Sequence, residues 1–250
     1  MNNHREGIAL LAVCMASMLL VSCQHDVVLA SYNICNGKGL DGQRDIARTA
    51  AALKALHADI IAVQEVDSMT RRSGGTDVLA LLAEATGMYA VYGPAIDFDG
   101  GRYGVGILSR EKPLSVTRCP LPGREEERVL LTVEFRRCFF ACTHLSLTGA
   151  DRLSSLAQFE ALAAQTGHKP LFLAGDFNSS PDEPFIQRLT EHFEILTDTQ
   201  SPTFPADAPN TTIDYIVCRR DARMPTVVSR SVVSEPVASD HRPIICHLRW

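Results

Sequence analysis

The sequence contains no Cys-x-x-Cys pair, a single tryptophan, only 6% aromatic residues and no surplus of basic charge. Its scattered cysteines leave no convincing zinc-ligand spacing. With 24 Lys+Arg against 29 Asp+Glu and a formal net charge of −5, a surface built to coat a polyanion is disfavoured. The few aromatics offer few platforms for stacking single strands. No Pro/Ser/Gly linker or low-complexity tract divides Val27–Trp250, which argues for one domain. What is present is 250 residues, 46% hydrophobic and 21% charged, the composition of a folded chain with a substantial core.

The N-terminus stands apart. Polar Met1–Glu6, with Arg5 as its strong cation, leads into the apolar run Ile8–Val21, which has signal-peptide length and is short for a membrane span. No later stretch is long and apolar enough to cross a bilayer. The run ends Leu20-Val21-Ser22-Cys23, which resembles the lipobox of bacterial lipoproteins. The resemblance implies a signal peptide over 1–22, lipidation at Cys23, and a mature domain over 23–250 tethered to the membrane of the bacterial cell envelope, periplasmic or surface-facing. Of the eight cysteines, Cys14 would leave with the leader and Cys23 would carry lipid. Most of the remaining six, Cys35, Cys119, Cys138, Cys142, Cys218 and Cys246, sit in apolar β-like runs and read as buried thiols.

Strand and helix patterns alternate along the rest. Val27–Ile34 is apolar and β-branched, and a helical period follows through Ile46, Ala50, Leu53 and Leu56. Asp59–Val63 reads as a short strand and Asp77–Ala85 as a helix. Strand-like runs follow at Tyr103–Leu108, Leu114–Thr117, Val129–Phe135 and Cys138–Thr143. After a helix at Asp151–Gln165 come strands at Pro170–Ala174, Ile213–Cys218, Thr226–Val233 and Pro243–Leu248. Strands apolar on both faces need cover on both, so the expected fold is α/β: a four-layer α/β/β/α sandwich with two mixed sheets face to face and helices outside.

Chemistry concentrates at strand ends, where a rigid support aims a side chain into a cleft. Asn33, Gln64-Glu65, His144, Asp176-Phe177-Asn178, Asp214 and Asp240-His241 occupy such places. Glu65, Asp240 and the Asn33 carbonyl are hard oxygen donors of the kind that suit Mg²⁺ or Mn²⁺ with a phosphate completing the shell. His241 beside a carboxylate such as Asp214 is equipped to take a proton from water or to stabilise developing charge. His144 is equipped to bind a non-bridging oxygen, and Asp176 with Asn178 to line the attack side.

Seven segments occur in order: Ser31-Tyr32-Asn33-Ile34, Val63-Gln64-Glu65-Val66, Gly104-Val105-Gly106-Ile107-Leu108-Ser109-Arg110, Thr143-His144-Leu145, Gly175-Asp176-Phe177-Asn178, Ile213-Asp214-Tyr215-Ile216 and Ser239-Asp240-His241-Arg242-Pro243. The set resembles the endonuclease/exonuclease/phosphatase family over about residues 27–250. The resemblance implies a deoxyribonuclease-I-like sandwich and a metal-dependent phosphoesterase site. It makes Glu65, Asn33 and Asp240 the metal side, pairs His241 with Asp214, and sets Asp176, Asn178 and His144 on the nucleophile and phosphate. Some relatives carry an acid where this chain has Cys35, so a single metal is expected.

Taken singly, these residues have plainer readings. Asn33 suits a turn, Glu65 and Asp67 a solvated strand end, Asp176-Asn178 an Asx turn before a helix starting at Ser179-Ser180-Pro181, and His144 a packed core. Arg102, before the Gly-rich strand, is a candidate for gripping a substrate phosphate, as are Arg71-Arg72. Glu125–Glu127 reads as an exposed turn, while His57, His168, His192 and His247 show no acid at suggestive spacing. The expected activity is hydrolysis of a phosphomonoester or phosphodiester by in-line attack of an activated water. A small phosphorylated molecule or lipid headgroup is favoured over nucleic acid, and the protein is expected to act as a monomer. The alternatives are a nuclease of the same family and a non-catalytic ligand-binding lipoprotein.

Overall fold

The computed structural model describes residues 25–220 and 222–249, so the expected leader 1–22, Cys14 and the lipidation site Cys23 lie outside the described residues. In chain order the first half comprises β1 (Asp26–Asn33), α1 (Ile46–Ala55), β2 (Ile60–Ser68), α2 (Val78–Thr86), β3 (Tyr89–Phe98) and β4 (Gly101–Ser109). The second sheet begins with β5 (Ser115–Leu121), β6 (Arg128–Glu134) and β7 (Phe139–His144), followed by α3 (Gly149–Gln165) and β8 (Leu171–Asp176). Then come α4 (Pro184–Leu189), β9 (Phe193–Ile195), β10 (Asp214–Arg219), β11 (Thr226–Val232) and β12 (Ile244–Arg249).

These strands form two six-stranded sheets, ordered β11-β12-β1-β2-β4-β3 and β5-β6-β7-β8-β10-β9. Each has one parallel pair near its centre, β1 with β2 and β7 with β8, and the remaining pairs are antiparallel. Parallel neighbours need a crossover, which α1 and α3 supply. Period-two alternation then sorts the apolar side chains. Ala62 faces the core between the sheets while Ile61 and Val63 face the helices, and Phe172 and Ala174 oppose Leu171 and Leu173 in the same way. Three apolar layers result. Leu29, Ile107, Leu131, Phe140 and Ile216 lie between the sheets, Leu53, Leu79 and Leu82 lie under α1 and α2, and Phe159 and Phe185 lie under α3 and α4. The chain folds as the expected four-layer α/β/β/α sandwich. Cys138, Cys142, Cys218 and Cys246 all sit in the middle layer, where burial pushes each thiol up to about 12.

The first two helices start and stop as their ends direct. Asp45 and Asp77 accept the Arg48 and Ala80 amides as N-caps, and Gly87, at φ 69°, closes α2 in the left-handed region. The structure departs from the sequence expectation at three places. Strand β2 continues through Gln64-Glu65 to Ser68 instead of ending at Val63, α4 begins at Pro184 rather than Ser179-Ser180-Pro181, and the short elements α4 and β9 have no pattern long enough to announce them. The consequence for function is positional. Asn33, His144 and Asp176 end β1, β7 and β8, and Asp214 begins antiparallel β10, so all four lie at one end of the sandwich.

Candidate active site

Three adjacent strands of the second sheet build one wall. In the ladder, Asp176 faces His144 on β7 and Asp214 on β10, so the register itself sets the three side chains in a row. Gly175 makes the close approach possible. A Cβ there would lie 1.9 Å from the Thr143 carbonyl oxygen, and φ is +153°. Gly175→Ala is therefore expected to cost roughly 3 kcal/mol of stability, measured by denaturant unfolding, and to displace Asp176 from His144. Past the strand, Phe177 turns outward to stack on Tyr215 at 5.3 Å and meet Phe185 edge-on at 6.0 Å. That anchor returns Asn178 to the cleft at φ 49°, where its N–H donates to Asp176 Oδ1 at 2.9 Å and its Nδ2 to the Leu145 carbonyl at 2.9 Å. The Asx turn is present, and it also pins the loop after His144.

The facing wall comes from the first sheet. Between Val63 and Val66 the β2–β4 register shifts, and Glu65 takes φ 58°, a bulge that turns its carboxylate toward Asn33. Gln64 goes the other way, buried between the sheets, where its Nε2 donates to Cys142 Sγ at 3.3 Å. Asn33 Nδ2 donates to Glu65 Oε1 at 3.0 Å and to Asp176 Oδ2 at 3.1 Å, joining the two sheets, while its Oδ1 accepts the Cys35 amide at 3.0 Å.

Asp240 and His241 arrive on the loop before β12. Ser239 Oγ donates to the Asn33 carbonyl at 2.7 Å and lies 3.2 Å from Asp240 Oδ1, which places that loop over the end of β1. His241 Nδ1 meets Asp214 Oδ2 at 3.0 Å, and Thr203 Oγ1 donates to the same oxygen at 2.6 Å. Phe204 packs on the imidazole at 4.8 Å between ring centres. The other ring nitrogen, Nε2, lies 3.5 Å from Asn33 Nδ2 and 3.6 Å from Asp176 Oδ2, and His144 Nε2 lies 3.5 Å from that same oxygen. One ligand-type atom each from Asp176, Asp214 and His241 falls within 4.8 Å of the others. Because Asp214 already engages Nδ1, this trio reads as a histidine held between two acids.

Electrostatics separate the two histidines. Burial pushes His144 down to about 4, and the Arg128 charge acts in the same direction against Asp176, so His144 is neutral at pH 7. Burial would also lower His241, but the charges of Asp214 and Asp176 and the Asp214 hydrogen bond outweigh it and lift His241 to about 10. Glu65 is raised, first by burial and then by the like charges of Asp240 and Asp176, against the Asn33 hydrogen bond. Burial, with Asp240 and Glu65 nearby, pushes the Cys35 thiol up to about 12.

Asn33, Glu65, His144, Asp176, Asn178, Asp214, Asp240 and His241 thus meet in one cleft. Arg102 does not join them. Its side chain is 59% exposed on the β3–β4 hairpin and pairs with Asp97 at 3.3 Å. The cation beside the site is Arg128, buried at the start of β6. It shares a small cavity with His144 and Tyr103, its Nη atoms pair with Glu125 and Glu126, and its Nε is without a partner. An arginine directly before an apolar strand was the available signal, hidden behind the acidic run that precedes it. Within that exposed run the Glu125 carboxylate is engaged, accepting the Leu147 amide at 2.7 Å and the Ser146 hydroxyl at 2.9 Å. Asp67 is buried rather than solvated, holding Arg72 through two bonds of 2.6 and 2.7 Å. His247 and His192 do find acids in space, Asp26 at 3.2 Å and Glu160 at 3.7 Å.

Comparison with known proteins places this arrangement. The model of the endonuclease/exonuclease/phosphatase family matches residues 30–241. A cytolethal distending toxin homolog of Salmonella typhi is 27% identical over 165 residues, 62% of this chain, which spans 58% of that relative's length. Among solved structures, an endonuclease/exonuclease/phosphatase from Beutenbergia cavernae superposes with TM-score 0.70 at 21% identity over 90% of this chain and 71% of its own. A mannosyl-6-phosphatase of Bacteroides thetaiotaomicron superposes with TM-score 0.71 at 18% identity over 89% of this chain and 99% of its own.

Proposed function

Since the chain belongs to the endonuclease/exonuclease/phosphatase family, we propose that it is an exported, divalent-metal-dependent phosphoesterase acting on a small phosphorylated molecule. The observation that carries this reading is the convergence, from both sheets, of Glu65, Asn33, Asp176 and the Asp214–His241 pair.

The donor set fits a hard cation. Burial, and after it the like charges of Asp240 and Asp176, hold the Glu65 carboxyl above its usual range, a cost that a divalent cation would offset. Glu65 and Asp240, with Asn33, would hold Mg²⁺ or Mn²⁺, which when bound neutralises charge on the phosphoryl oxygens. Around Asp176 Oδ2 stand three nitrogens, Asn33 Nδ2 at 3.1 Å, His144 Nε2 at 3.5 Å and His241 Nε2 at 3.6 Å. A phosphoryl oxygen entering the cleft takes the same donors. Neutral His144 keeps one N–H to give, and His241, held protonated by Asp214, stabilises charge that grows in the transition state. Asp176 faces the attacking water and accepts its proton, while Asn178 fixes that carboxylate through its backbone N–H. Arg128 stands beside His144 and its charge helps keep that imidazole neutral, so Arg128→Ala is expected to lower kcat/KM about tenfold, read in steady-state kinetics.

Near the site the arginines Arg71, Arg102 and Arg128 pair with Asp99, Asp97 and the acids Glu125 and Glu126, so they form no basic stripe to hold a long polyanion, which favours a compact substrate. The mannosyl-6-phosphatase neighbour supports the same choice. Export rests on the Ile8–Val21 run and the lipobox-like Cys23. A panel of sugar phosphates, inositol phosphates, phospholipids and nucleic acids, each with Mg²⁺ or Mn²⁺, tests the proposal. Cleavage confined to nucleic acid would overturn the substrate class, and no cleavage of any member would overturn the activity.

A further inference from the structure

Along β2, Ser68 lies three residues past Glu65, about 10 Å away. There a second cavity of about 690 Å³ opens, lined by Ser68, Met69, Asp97, Phe98, Asp99 and Arg102 with the Gly100-Gly101 turn. The two places are joined through Arg72. Its guanidinium is fixed by buried Asp67, feels the Glu65 charge, and covers one face of the Phe98 ring at 4.4 Å.

The lining has a definite chemical character. Phe98 and Met69 are 37% and 57% exposed, and Met69 holds φ 60°, a left-handed conformation that a side chain with a Cβ adopts at a cost. Asp97 and Arg102 pair with each other at 3.3 Å and are still 86% and 59% exposed. Asp99 accepts the Arg72 amide at 2.7 Å and pairs with Arg71, whose side chain is 81% exposed. The cavity therefore offers one aromatic platform, one thioether, and a rim on which Asp97 pairs with Arg102 and Asp99 with Arg71, so that the charges cancel. An anionic extension, such as the next phosphate of a nucleic acid strand, gains no net attraction from a rim whose charges cancel. An alkyl chain meets too many polar groups. A ring with an apolar C–H face and several hydroxyls suits both parts: the face lies on Phe98 and Met69, and the hydroxyls donate to Asp97 and accept from Arg102.

We propose that this cavity is a leaving-group subsite for a neutral polyhydroxylated ring, so that the substrate is a sugar phosphate. The assignment rests on the phosphoesterase reading above. The quantity that tests it is the ratio of kcat/KM for a hexose 6-phosphate to that for glycerol 3-phosphate, whose leaving group is too small to reach Phe98. Phe98→Ala and Asp97→Asn should each lower that ratio about tenfold, through KM. Asp97→Asn alters an exposed side chain and leaves the Arg72 platform intact, so a folding defect cannot imitate the result. An unchanged ratio in both variants would overturn the subsite, and a loss confined to a nucleoside 5′-monophosphate would overturn its ligand class. If the unsubstituted protein hydrolyses none of the three, the phosphoesterase reading fails, and saturation-transfer NMR with a methyl hexoside decides the subsite alone. Signal in the unsubstituted protein that vanishes in Phe98→Ala supports the subsite; equal signals, or none, overturn it.

Discussion

His241→Ala lowers phosphoester turnover by roughly 10³-fold or more, with kcat falling and KM little changed. The imidazole is not a surface group that the cleft can lose cheaply. It is buried, clamped by Asp214 at 3.0 Å and by Phe204 at 4.8 Å, and lifted to about 10 by the acids around it. A cation fixed this way stabilises charge that appears only in the transition state, which is why the loss falls on kcat. Asp214→Asn should lose a large part of the same factor, because the amide keeps the shape and removes the charge that holds His241 protonated. The pair is expected to be non-additive, with the double variant hardly slower than His241→Ala. Circular dichroism of both variants separates loss of chemistry from loss of fold.

Glu65→Gln is expected to abolish metal-supported turnover and to weaken Mg²⁺ or Mn²⁺ binding by at least about 10²-fold, measured by titration calorimetry. The stability effect has the opposite sign to the usual loss of a buried group. Glu65 has its folded pKa raised, first by burial and then by Asp240 and Asp176, above an ordinary value of 4.5. The unfolded chain therefore releases this proton at lower pH than the metal-free folded chain, and ionisation at neutral pH works against folding. A neutral amide of the same shape removes that term while its carbonyl still accepts from Asn33 Nδ2. Metal-free Glu65→Gln should thus unfold at a temperature no lower than the unsubstituted protein, whereas only the latter gains stability when the cation is added.

Most of the framework was legible because burial on both faces leaves long apolar runs such as Leu171–Ala174 and Ile216–Cys218, bounded by polar strand ends. Those same ends disclosed Asn33, His144, Asp176 and Asp214, since parallel β7 and β8 and antiparallel β10 must bring their polar tips to one edge. The bulge was not legible. Val63-Gln64-Glu65-Val66 reads as a strand that stops, yet a shift in register lets the strand continue while Gln64 and Glu65 turn to opposite sides. The arginines show a second limit. Arg102 and Arg128 both stand at strand starts beside acids, and only packing decides that Arg128 is drawn under His144 while Arg102 stays on a hairpin. Asp67, near the end of β2, and Arg72, in the polar loop after it, lie five positions apart, and nothing in that spacing announces a buried, bidentate pair. Strand β9 covers three residues, too few for any alternation to register.

The proposed site gathers acids, amides and histidines from two sheets around one divalent cation and one phosphate. The decisive assay is release of inorganic phosphate from a sugar phosphate by the purified protein, before chelation, after chelation, and after Mg²⁺ or Mn²⁺ is restored. Turnover should disappear with the chelator and return with the cation, and it should never return in Asp176→Ala. Turnover indifferent to the chelator, or undiminished in Asp176→Ala, would refute the shared metal and phosphate site.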